Sequence, residues 1–155
     1  MRASPIGLLY HFDLNIVKNY ADLQSLPTHT SPAARAAAVA VAAAVALALH
    51  GFPKGAILRS AASQASRLDT DFAERLLWVG TLLDLQPEDA LGLIRNSPLA
   101  LETVPAAFYC FLQFEPKEAL IMAASSGIMI SWWPTRLMPL PPRAVGRCTT
   151  LTVGR

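Results

Sequence analysis

The sequence sets His29 between two threonines, immediately ahead of Ser31-Pro32 and a long alanine-rich run. An imidazole can donate, accept or carry a proton near neutrality, and by position alone His29 reads as a contact to the start of the helix that follows. Asp69-Thr70-Asp71 offers the carboxylate oxygens that hard cations prefer. No glycine precedes it to admit a close backbone approach, and Asp71 with Glu74 three residues on makes a capping box, so this pair is assigned to a helix start rather than to a metal. Cys110 stands among Phe108, Tyr109 and Phe111 with no basic neighbour to stabilise a thiolate, the setting of a buried thiol and not of a nucleophile. His11 and His50 flank helix ends and read as structural.

Composition narrows the classes further. Cys110 and Cys148 form neither a disulfide framework nor a metal-ligand spacing, which suits a reducing, cytoplasmic setting. Arg2 is followed at once by Ser4-Pro5, so the start lacks the apolar run of a signal peptide. Residues 1–127 carry a net charge of −2, whereas residues 128–155 hold four arginines and no acid. Trp132-Trp133 with Arg136 and Arg143 imitates an aromatic-basic patch, but four arginines on a proline-rich tail are a poor footprint for nucleic acid. No nucleic-acid partner and no membrane are expected, and the tail is expected to be disordered.

The elements that must position these residues read as helices. Ser31 can cap the first turn, Pro32 sits where its missing N–H is harmless, and Gly51 can take the left-handed conformation that ends the helix. Eleven of the sixteen residues from Ala33 to Ala48 are alanine, the strongest helix former. The apolar run from Ala36 to Leu49 is shorter than the roughly twenty residues of a membrane span, which argues for a buried central helix. Before it, Asp13 caps a helix through about Leu26, with Leu14, Val17, Ala21 and, at the margin, Tyr20 on its buried side. After it, Pro53 opens a helix with Ile57, Leu58, Ala61 and Ala65 inward and Lys54, Arg59 and Arg67 outward. Phe72, Leu76, Val79 and Leu83 form the stripe of the helix begun at Asp71. Three more helices are expected from Pro87, from Thr103-Val104-Pro105 (core face Phe108, Phe111, Leu112) and from Glu115-Pro116 to Gly127. No stretch alternates like a strand, so the fold class is all-α: a compact multi-helix bundle around the alanine-rich helix.

In this order and at these separations, three segments resemble the ADP-ribosylglycohydrolase family. They are Met1-Arg2-Ala3-Ser4-Pro5-Ile6-Gly7, similar to the family's Met-Arg-x-x-Pro-[Ile/Leu]-Gly; Thr28-His29 with the alanine-rich helix; and Leu101 to Ala107 followed by Ala119 to Gly127. The resemblance covers roughly residues 1–127 and implies an all-α hydrolase that releases ADP-ribose from modified protein or small molecule at a pair of divalent ions, magnesium in the intact family. It implies that His29 lines the ADP-ribose cleft, with Thr28 beside it and Arg2 just after a substrate loop. It also implies two acidic metal motifs, a Thr-Asp-Asp type near the start and a Gly-Gly-Asp-x-Asp-[Thr/Ser] type near the end.

Neither acidic motif is found in this sequence, and the second would begin at Gly127, where Ile128-Met129-Ile130 stands instead. Reading those three codons one base earlier makes the first xAT, which can be Asp, and forces the third to GAT, Asp; the same shift turns Trp133 into Val and Pro134 into Ala. Two units are therefore expected, a partial family domain over 1–127 and an out-of-frame tail over 128–155. The fragment is expected to hold no metal, to be inactive alone, and to self-associate through apolar helix faces that further helices would cover. The alternative is a non-catalytic helical ADP-ribose-binding or protein-interaction module. Sequencing the gene locus tests the frame: the shifted reading should continue as a family-like Asp-x-Asp segment, and a shifted frame without one removes the explanation.

Overall fold

A computed structural model describes residues 3–125 apart from 96 and 98. Met1, Arg2, Gly127 and the expected tail 128–155 lie outside the described residues. Within them the chain is all-α: α1 (Ser4–Leu9), α2 (Leu14–Ser25), α3 (Pro32–Leu49), α4 (Lys54–Ala65), α5 (Thr70–Trp78), a 3-10 turn (Val79–Leu82), α6 (Pro87–Ile94), α7 (Ala100–Gln113) and α8 (Pro116–Ser125).

The central helix α3 forms as its end signals require. Ser31 Oγ accepts from Ala34 N at 3.3 Å, Pro32 opens the first turn, and Gly51 stands at φ +70° just past the C-cap His50. By length and composition alone α3 would pass for a membrane span. Yet Ala36, Ala37, Val39, Ala40, Ala42, Ala43, Ala46 and Leu47 are all buried, by neighbours α1, α2, α4, α5 and α7. It is the core helix of a bundle. Its alanines serve two packed clusters: Ala42 and Ala46 meet Val17 and Ala21 of α2, while Ala36 and Ala40 meet Leu58, Phe72, Leu76 and Phe108. A third cluster joins Val79, Ile94, Tyr109 and Cys110, so α7 bridges it to the second.

The short α1 goes beyond what the sequence suggested. Pro5 falls in its first turn, where no amide hydrogen is missed, and Gly7 lies against α3. A Cβ built on Gly7 would fall 2.9 Å from Val45 Cβ and closer still to the carbonyl oxygen of Ala42. The glycine therefore sets how closely α1 can approach.

Other expectations shift for local reasons. The N-cap of α5 is Asp69, whose Oδ1 accepts from Phe72 N at 2.8 Å, and Asp71 sits exposed in the first turn, so the Asp71–Glu74 capping box does not form. The Phe72, Leu76, Val79 stripe is buried as expected, but it runs through α5 into the 3-10 turn. α7 starts at Ala100, five residues ahead of Pro105, which is carried inside the helix; Tyr109 and Cys110 take the buried positions and Phe111 and Leu112 are half-buried. Lys54 is not solvent-facing: Nζ donates to the carbonyl of Phe114 at 2.6 Å and lies 5.7 Å from the Phe111 ring. Tyr20 is exposed, stacked on Tyr10 at 4.7 Å between ring centroids.

Gly7→Ala should lower stability by about 1–3 kcal/mol, the usual cost of overpacking, read as a reduced chemical-denaturation midpoint with unchanged helical circular dichroism. An unchanged midpoint would mean that α1 is not seated on α3.

Candidate functional site

The corner between α2 and α3 is built around one carbonyl. Ser25, buried at the end of α2, accepts at its backbone oxygen from Thr28 N (3.1 Å), His29 N (2.8 Å) and Thr28 Oγ1 (3.3 Å), while its own hydroxyl donates to Asp22 O at 2.7 Å. Three donors on one acceptor fix Thr28 and His29 although both are exposed. His29 Nδ1 lies 2.8 Å from Thr28 Oγ1. That one hydrogen bond ties the imidazole ring to the threonine.

The same corner is clamped from the side. Arg35 in the first turns of α3 makes a two-point ion pair with Asp22 in the last turn of α2, Nε to Oδ1 at 2.7 Å and Nη2 to Oδ2 at 2.8 Å. The hydrogen bonds to Asp22 raise the guanidinium above its ordinary range, so it stays charged throughout. The first-turn amides and positive dipole end of α3 lie next to His29, a setting that favours an anion. The corner thus combines a tethered imidazole with a helix N-terminus. Thr28 and His29 are brought together as adjacent, hydrogen-bonded side chains; Arg2 lies outside the described residues.

Three carboxylates serve structure. Asp13 Oδ1 caps α2 through Asn15 N at 2.7 Å, Asp69 caps α5, and Asp22 is held by Arg35. Among the described residues no three His, Cys, Asp or Glu side chains converge as a metal donor set. The described residues do not fit the metal pair that the resemblance implies. Two open grooves of about 390 and 380 Å³ lie along α4 and α5, lined by Asp71, Glu74, Arg75 and Trp78 and by Arg59, Ser63, Ser66, Thr70 and Leu77 among others; His29 lines neither. Arg75 there is anchored, donating from Nη2 to Ile94 O at 3.1 Å. The Asp22–Arg35 clamp was not anticipated from sequence, since thirteen residues separate the partners and only the antiparallel turn between their helices joins them.

Over residues 1–128 the sequence matches the model of the ADP-ribosylglycohydrolase family. An uncharacterized protein of Archaeoglobus fulgidus is 37% identical over 128 residues, which are 82% of this chain and 42% of that relative. The chain thus spans about two fifths of the relative's length. No solved structure matches it.

Cys110 is a packing residue. Burial pushes its thiol up from 9.0 to about 11. An unfolded chain would lose that proton near pH 9 while the folded one keeps it, so stability should fall as pH rises from about 9 to about 11, by roughly 2–3 kcal/mol. Denaturant melts across that range should show the decline and Cys110→Ala should flatten it; an equal decline in the variant would assign it to other groups.

Proposed function

From a chain that belongs to the ADP-ribosylglycohydrolase family, we propose a partial hydrolase unit whose α2–α3 corner presents His29 and Thr28 to ADP-ribose. The observation that supports this reading is the triply used Ser25 carbonyl, which holds the Thr28-His29 backbone just ahead of α3, with the His29 ring tied to Thr28 Oγ1. ADP-ribose offers ribose hydroxyls to the imidazole and a pyrophosphate to the helix end. Arg2 is a further proposed contact.

The proposal extends to activity. In the full family domain a divalent ion pair, proposed to be magnesium, would orient the ribose and activate water. No three acidic, His or Cys side chains converge as a donor set among the described residues, and this chain alone is proposed not to turn over. Residues 1–127 would be the family unit and 128–155 a tail outside it, in a cytoplasmic setting. A second reading, an interaction module, is favoured by the outward Leu8, Leu9, Phe12, Leu120 and Ile121, each more than half exposed.

Titration calorimetry of the full chain with ADP-ribose should give micromolar binding. His29→Ala should weaken it about 10- to 100-fold, as for a lost hydrogen bond to a charged or polar ligand, with an unchanged melting midpoint. No binding heat removes the ligand site and leaves the interaction module, whose sign is concentration-dependent association in light scattering. Magnesium-stimulated release of ADP-ribose by the 155-residue chain would overturn the inactivity.

A further inference from the structure

The opposite end of α3 also concentrates polar atoms. His50 is the C-cap of α3, its backbone fixed by N–H bonds from His50 to Leu47 O (3.1 Å) and from Gly51 to Ala48 O (3.0 Å). His11 lies in the turn that joins α1 to α2, closed by Asp13 N donating to Tyr10 O at 3.1 Å and flanked by the Tyr10–Tyr20 stack. Both rings are exposed, and they meet: His11 Nδ1 is 3.2 Å from His50 Nε2, with ring centroids 5.1 Å apart, and the carbonyl oxygen of His11 is 3.1 Å from the same His50 nitrogen.

These spacings suit a metal ion. Two imidazole nitrogens on a tetrahedral zinc at about 2.0–2.1 Å stand roughly 3.3–3.4 Å apart, with ring centres about 5.2 Å apart. The geometry departs little from that. Imidazole suits zinc, copper and nickel, and the negative dipole end of α3 favours a positive charge at this place. We propose that His11 and His50 form a two-histidine site for such a borderline divalent ion, binding the α1–α2 turn to the end of α3.

In the metal-free pair one ring donates its proton toward the other. Binding moves that proton to the far nitrogen of its own ring, so that His11 Nδ1 and His50 Nε2 both offer lone pairs; no proton leaves a neutral pair and no bond is otherwise broken. The His11 carbonyl is placed as a third donor and water completes the shell. This site is separate from the α2–α3 corner, at the other end of an 18-residue helix, and does not depend on the function proposed there.

The full chain titrated with Zn2+ should bind one equivalent, and its melting midpoint should rise by several degrees in excess metal. His11→Gln and His50→Gln should each abolish both effects; His11→Gln changes only an exposed turn and keeps the test valid if the cap variant folds poorly. Electron paramagnetic resonance with Cu2+ should show coupling to two imidazole nitrogens in the parent chain and to at most one in either variant. Absence of a zinc-induced shift in the parent chain, or a shift that persists in the double variant, would overturn the site and leave the pair a plain hydrogen bond.

Discussion

The structure depends on a helix that is covered on several sides at once. α3 contacts α1, α2, α4, α5 and α7, and five neighbours can reach one 18-residue helix only if its side chains are short. Alanine meets that demand and is also the best helix former, so propensity and packing ask for the same residue. The volume comes from the surrounding helices: Phe72, Leu76, Ile57, Ile94, Tyr109 and Val104 are the large side chains that reach near-zero exposure. Where even a methyl group is too much, at the contact of α1 with Ala42 and Val45, the sequence has Gly7. That glycine and Pro5 are explained by the geometry of α1 against α3.

A helix filled with alanine has no functional groups along its length, so its polar chemistry collects at its ends. At the start, Ser25, Thr28, His29, Ser31 and the Asp22–Arg35 pair form one connected set in which nearly every donor has a partner. At the finish, Gly51 turns the backbone and His50 meets His11. Each end also ties a neighbouring helix to α3, α2 at the first and the α1–α2 turn at the second. Positioning and stability are supplied there by the same contacts.

The acidic residues show the other side of that economy. Asp13, Asp22 and Asp69 each hold a helix end or a helix pair. Elsewhere α8 has no buried residue, and its Leu120 and Ile121 face outward.

Much of the architecture followed from local signals: Asp13 and Ser31 as caps, Pro32 and Gly51 as the bounds of α3, and the inward stripe of α4, because capping and amphipathic periodicity act within a few residues of chain. The family likeness was likewise legible in Gly7, His29 and the alanine run. Local reasoning failed in two places: Asp69 prevailed over Asp71 because its oxygen reaches Phe72 N, and α7 begins ahead of Pro105 because Ala100, Leu101 and Val104 are held in the cluster with Phe72 and Leu76 of α5. The Asp22–Arg35 clamp, the Lys54–Phe114 tie and the His11–His50 pair were not legible at all. Their partners are 13, 60 and 39 residues apart. The sequence determined which helices form and where they stop; which side chains meet across them was decided by packing around α3, since contact between distant residues depends on how helices cross and not on their spacing in the chain.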